Sequence, residues 1–167
     1  MAKDLDTIEK STQVRTGVRN VDALVGALAD VLSDTYRLLI KSHIYHWNVE
    51  GALFYSIHHL TEEQYENLFA AADELAERIR ALGKLAPVKI GDMTQSAAVG
   101  DTVSELTAIE MVEDLVKDHE RVAHRLHALI KLAEDHNDPV TADMATARSA
   151  FHEKAAWMLR ATAASLG

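Results

Sequence analysis

Between Phe54 and Leu82 the apolar positions recur in steps of three and four without a break. Phe54, Ile57, Thr61, Tyr65, Leu68, Ala72, Leu75, Ile79 and Leu82 form the stripe, and neither Gly nor Pro interrupts it. A period near 3.6 is that of an α-helix with one buried face. Gly83 follows directly as a C-terminal cap. A helix over 53–82 would be roughly 45 Å long at 1.5 Å per residue. A rod of that length cannot bury its stripe alone, so the chain must fold as long helices packed side by side.

The same helix carries a second pattern. His58 and Glu62 are four residues apart, and so are Asp73 and Glu77. Glu62 to Asp73 is eleven residues, close to three turns, so all four share a face. Just upstream, His46 ends a first helical pattern in the run His46-Trp47-Asn48-Val49-Glu50-Gly51. Imidazole and carboxylate without thiolate form a donor set suited to iron, zinc or manganese. These residues cannot serve one metal within one chain. Glu62 and Asp73 would lie roughly 16 Å apart along the axis, against metal–ligand bonds of about 2.0–2.6 Å. Either each pair meets ligands from another helix, or two copies of the helix cross antiparallel about a two-fold axis. The second arrangement sets His58 and Glu62 of one chain against Asp73 and Glu77 of the other, and two-fold pairing is the commonest subunit contact. A merely solvated acidic face, shared with Glu63, Glu66 and Glu74, accounts for the carboxylates but not for His58.

Seven Gly and two Pro in 167 residues are too few turn formers for an all-β chain. The absence of Cys excludes disulfides, thiolate metal sites and cysteine nucleophiles. No apolar run approaches the length of a membrane span, and the N-terminus does not read as a signal peptide, so a cytoplasmic protein without membrane contact is expected. The net charge of −9 attracts cations and opposes non-specific binding to phosphates.

In chain order, residues 1–17 read as a flexible tail with cancelling charges, including Lys3, Lys10 and Arg15, and 18–167 as one helical domain. The first helix is expected over 19–47, with Leu28, Leu32, Thr35, Leu39, Ser42 and His46 on its buried stripe and Asn20 or Asp22 as cap. The connection after Gly83 is long, with a short helix expected over 93–99; a long crossover joins parallel neighbours in a four-helix bundle. The third helix is expected over 102–136, with Leu106, Ile109, Val112, Val116, His119, Val122, Leu126, Leu129 and Ala133 inward. His119, His124 and His127 read as structural or exposed. Asp138-Pro139 opens the last helix, Asp as N-cap and Pro at the first helical position. The expected fold is all-α: a four-helix bundle with a long crossover between helices 2 and 3.

The run His46-Trp47-Asn48, Gly51, Phe54, His58, Glu62, Asp73, Ala76-Glu77-Arg78 and Leu82-Gly83 resembles the Dps family, the miniferritins of the ferritin-like superfamily. Thr141-Ala142-Asp143 and Trp157-Met158 resemble it too, and the likeness spans roughly residues 18–165. It implies a hollow homododecamer built from two-fold dimers, with two ferroxidase centres at each dimer interface, each shared between the subunits. The implied iron ligands are His46, His58 and Glu62 from one subunit and Asp73 and Glu77 from its partner. The family more often has Asp where Glu62 stands. Trp47 lies beside the centre in the family, and reads equally well as an interface packing residue. The implied activity is oxidation of Fe(II), preferably by hydrogen peroxide, otherwise by O2, and storage of ferric iron in the cavity. Iron is expected to enter through acidic three-fold pores, for which Asp138 and Asp143 are the candidates; capping is the competing role for Asp138. Larger ferritins use Glu-x-x-His pairs, and no Glu here has His three residues later. DNA coating, known in the family and associated with the nucleoid, is expected to be weak here, because neither the tail nor the net charge is basic.

Overall fold

The computed structural model describes residues 13–102 and 104–164. Four long helices account for most of them: α1 (Val21–Asn48), α2 (Phe54–Ala81), α3 (Ala108–Asp135) and α4 (Pro139–Ala163). Among the described residues there is no strand. The all-α bundle with its crossover is therefore as the periodicity requires.

Contacts between helix ends fix the topology. The Arg19 N–H, at the mouth of α1, donates to His136 O just past the end of α3 at 2.9 Å, so α1 and α3 are antiparallel. Arg78, at the end of α2, meets Asp138 at the start of α4, so α2 and α4 are antiparallel. Short turns join α1 to α2 and α3 to α4, and only the α2–α3 link must run the length of the bundle. Leu24, Leu28, Leu32, Leu38, Ile57, Leu68, Leu75, Ile79, Leu115, Leu126, Leu129 and Leu159 fill the centre. Burying a Leu or Ile side chain stabilises by about 1.5–3 kcal/mol.

The caps follow local chemistry. α2 ends as read: Gly83 takes φ 88°, its N–H donates to Arg80 O, and the Lys84 N–H donates to Ile79 O, the bond pair of a Schellman cap. Asp138 caps α4, accepting from the Thr141 N–H at 2.9 Å with Pro139 behind it. Asn20 precedes α1 but makes no side-chain cap bond; its amide reaches His136 instead.

Several expectations are corrected. The short helix over 93–99 is only a 3-10 turn, Gly91–Met93. Asp34, fully buried on α1, accepts from the N–H groups of Ala98 and Val99 at 2.6 and 3.0 Å. Those donors pin the crossover to α1 instead of forming a helical turn. α3 starts at Ala108 rather than 102, where Thr107 and Glu110 form a reciprocal capping box. Ile109 in that first turn is exposed, and Leu39 is only half-buried while Leu38 is buried. Phe54, expected inside, is 44% exposed because it begins α2 at the end of the bundle. Of the expected tail, residues 1–12 lie outside the described residues; Val14 already pairs with the end of α2, its N–H donating to Ala81 O.

Candidate metal centre

His46 lies in the last turn of α1, and Gly51, at φ 91°, turns the chain so that the first turns of α2 return beside it. His46 and His58 stack with ring centroids 3.7 Å apart. His46 Nδ1 donates to His58 O at 2.8 Å, and His58 Nδ1 donates to His46 O at 2.8 Å. A carbonyl oxygen only accepts, so both Nδ1 atoms must carry the proton. In the neutral ring this tautomer leaves Nε2 with its lone pair, the form in which imidazole binds a metal. The His46 carbonyl belongs to the last turn of α1, where carbonyls lack intrahelical partners, so this bond also satisfies a helix end.

Aromatic rings close round the pair. Phe54 stacks on His58 at 4.9 Å, and Tyr65 meets His46 edge-on at 5.3 Å. Tyr65 also lies 4.4 Å from His43, whose ring lies 4.1 Å from Trp47. Trp47 itself is 63% exposed. Burial and the nearby Glu62 and Glu66 charges push the Tyr65 hydroxyl above its ordinary range, so it stays protonated. Glu62 comes one turn after His58, with Oε2 3.4 Å from His59 Nδ1.

Beneath this end of α1 lies an ionic tie to α3. Lys41, almost wholly buried, donates to Asp114 at 2.9 Å and Asp118 at 2.5 Å, and the Tyr45 hydroxyl donates to Asp114 at 2.7 Å. Burial and the Asp114 carboxylate push the Tyr45 hydroxyl strongly up. Burial also raises Asp118, against the pull of Lys41 and Arg121. The residue preceding His46 is thus fastened on a second helix.

Asp73 and Glu77 are exposed farther along α2. Glu77 is followed by Arg78, whose guanidinium donates to Asp138 at 2.6 Å and to Thr141 at 2.9 Å. This fork holds the acidic half of the pattern in register with α4. Within one chain the structure joins His46 with His58, places Glu62 one turn farther along α2 and leaves Asp73 and Glu77 apart. Among the described residues no three His, Asp or Glu side chains converge on one point.

The chain and its fold have known counterparts. Residues 25–166 match the ferritin-like domain family. The chain is 31% identical over 138 residues to DNA protection during starvation protein 2 of Bacillus anthracis, covering 83% of this chain and 94% of that one. It is 37% identical over 139 residues to a low temperature-induced protein of Nostoc, covering 82% and 78%. Antigen TpF1 from Treponema pallidum superposes with a TM-score of 0.83 at 30% identity, covering 90% and 97%. Dps from Bacillus brevis superposes with 0.81 at 30% identity, covering 84% and 95%. The chain belongs to the Dps family of ferritin-like proteins.

In this Dps-family chain the two candidate pore residues part company. Asp143 is exposed on the first turns of α4. Asp138 is fully buried in the chain, committed to Arg78, the Thr141 N–H and the Thr141 hydroxyl. Its role here is the cap and the ion pair, so the pore expectation passes to Asp143 alone. Sequence reasoning took Tyr65 for core and left His43 and His59 unremarked. Their spacing held a signal: 43 and 47, 55 and 59, and 58 and 62 are all i,i+4 pairs around the histidine pair.

Proposed function

We propose that this Dps-family chain is a subunit of an iron-oxidising and iron-storing cage, with its ferroxidase centres built between two-fold-related subunits. The observation that carries the reading is the reciprocal His46–His58 pair. Two imidazoles locked with both Nε2 lone pairs available form half of a metal site. The missing half is an anionic oxygen pair, and Asp73 with Glu77 supplies one on the same exposed helix. Antiparallel pairing of two α2 helices sets His46, His58 and Glu62 of one subunit against Asp73 and Glu77 of the next. The exposed Trp47, Phe54, Tyr55 and Phe69 are apolar surface that such pairing would cover.

The chemistry follows from the ligands. Fe(II) is the substrate, bound by neutral imidazoles and carboxylates. Hard anionic oxygens favour the higher charge of Fe(III). Two Fe(II) give one electron each to hydrogen peroxide, the preferred oxidant, which with two protons leaves as two waters; O2 is the slower oxidant. No hydroxyl radical is released, and this is the protective function. Fe(III) then mineralises inside a dodecamer entered through acidic pores that include Asp143. Among the described residues no helix is long and apolar enough to cross a membrane, consistent with a cytoplasmic cage. With a net charge of −9 per chain, protection of DNA proceeds by removing iron and peroxide, with at most weak coating of the duplex.

The deciding experiment loads metal-free protein with Fe(II) anaerobically, adds peroxide and follows Fe(III) absorbance. The wild type is expected to oxidise rapidly, and a His58→Ala/Asp73→Ala variant of unchanged assembly to be slow. Equal rates in both would overturn the assignment.

A further inference from the structure

We infer that the groove between α2 and α4 is a binding site for a small oxyanion, received by the Arg148 guanidinium and the Gln64 amide. A cavity of about 240 Å³ opens there, walled by Gln64 and Asn67 of α2 and Phe151 and Met158 of α4, with the exposed Glu63 and Lys154 also lining it. Arg148 stands beside it. Its Nη1 donates to Asn67 Oδ1 at 2.6 Å, and the guanidinium lies 4.4 Å over the Phe151 ring. Nη2 is closed off from solvent and has no acceptor, and among the described residues no carboxylate forms an ion pair with this cation. Burial pushes the guanidinium down to about 10, against the weaker pull of the Glu74 charge. Charges taken out of water are normally paired.

Gln64 brings a second unused donor. Its side chain is buried, and a line of hydrogen bonds across the bundle sets its orientation. His119 Nε2 faces Gln64 Oε1 at 3.4 Å, and His119 Nδ1 lies 2.9 Å from His152 Nδ1. Burial keeps both imidazoles neutral. A carbonyl oxygen only accepts, so His119 carries its proton on Nε2, and its Nδ1 accepts from His152. The line ends at Gln64 Nε2, which is buried and has no partner. Buried donors left unpaired are costly. A water molecule would satisfy them but would leave the cation unpaired; an oxyanion does both, through the stronger charge-assisted bonds. Gln64 is two residues beyond Glu62, about 200° round the helix. The site therefore lies on the other side of α2 from the proposed metal ligands and does not rest on the ferroxidase reading.

The test is equilibrium dialysis of labelled inorganic phosphate against the metal-free, assembled protein, with assembly size and melting midpoint followed alongside. The wild type is expected to bind phosphate saturably, at a single class of site. Arg148→Met removes the cation and keeps an apolar stem on Phe151. Gln64→Glu keeps an acceptor for His119 and replaces the unused donor with a negative charge. Each is expected to weaken phosphate binding about tenfold or more, with assembly unchanged. A wild type without saturable binding would overturn the site, and so would wild-type affinity in Arg148→Met. Displacement of phosphate by an equal concentration of chloride would also overturn it, by showing attraction to charge alone. Should Gln64→Glu fail to assemble, Arg148→Met decides by itself.

Discussion

His46 and His58 each donate from Nδ1 to the backbone carbonyl of the other, both at 2.8 Å, with their rings stacked. The relationship is reciprocal: neither ring can move its proton off Nδ1 without losing the bond it donates to the other's carbonyl. On the proposed function it sets both Nε2 atoms for a metal before any metal arrives, so little ordering remains to be done on binding. It also ties the last turn of α1 to the start of α2 across a turn of five residues.

Each histidine therefore has two jobs, and a substitution should separate them. His58→Ala removes one proposed metal ligand and frees the Nδ1 of no other residue, but it leaves His46 O without its partner. We expect a loss of about 1–3 kcal/mol in stability from the orphaned polar group, and loss of most peroxide-driven Fe(II) oxidation. Chemical denaturation and stopped-flow absorbance read the two effects. Full activity in a destabilised variant would show that the pair is only a hinge for the turn.

A centre shared between subunits makes a prediction that a single-chain site does not. Take a His58→Ala chain and an Asp73→Ala chain, each inactive alone. In a mixed dimer one interface site carries both defects and the other carries neither. Random reassembly makes half of the dimers mixed, so about a quarter of the sites should be intact. Co-dissociation and reassembly should thus recover roughly a quarter of wild-type Fe(II) oxidation. No recovery, with mixed cages demonstrated by mass spectrometry, would place all the ligands in one chain.

Periodicity carried much of this into view before the structure. The stripe from Ile57 to Ile79 is buried at Ile57, Thr61, Leu68, Ala72, Leu75 and Ile79, and the 3.6 period alone required a helix there. Asp138-Pro139 announced the start of α4 because capping is local chemistry. What stayed hidden depends on contacts far apart in sequence. Asp34 binds Ala98 and Val99 across the bundle, and so decides that the crossover is not helical. Asp138 looked like a pore carboxylate until Arg78, sixty residues away, was seen against it. The His46 and His58 pair was legible as residue types at a spacing. Their tautomers were not, since those depend on which carbonyl faces which ring.

The Arg78–Asp138 pair is a buried charge held by one cation. Asp138 is fully buried and the Arg78 side chain nearly so. Removing one partner of such a pair leaves the other charged and unpaired, at a cost of about 3–5 kcal/mol. Arg78→Ala should therefore lower stability by that amount and loosen the start of α4, on which Asp143 sits. Adding Asp138→Asn should recover part of the loss, because a neutral amide still accepts from the Thr141 N–H. A double-mutant cycle read by chemical denaturation checks this, and strict additivity of the two losses would contradict it.

Deeper in the bundle, His119 and His152 face each other with Nδ1 atoms 2.9 Å apart, both fully buried. Burial, with the positive charge of Arg148, pushes His119 down to about 3, and burial, His119 and Arg148 hold His152 well below the ordinary range. Both are therefore neutral in the folded chain at pH 7. Histidine in the unfolded chain titrates near 6.5. Below about 6.5 the unfolded state takes up protons that the folded state refuses, so stability falls as pH falls, at up to about 1.4 kcal/mol per pH unit for each histidine. Above 6.5 neither state is protonated and the contribution is flat. Stability measured from pH 8 to 7 should thus change little from this pair, and from pH 6.5 to 5 it should drop steeply. Replacing His152 with Gln, which keeps a polar side chain without a titrating proton, should make that acid limb shallower. A limb of unchanged slope in this variant would mean that the acid sensitivity resides in the carboxylates instead.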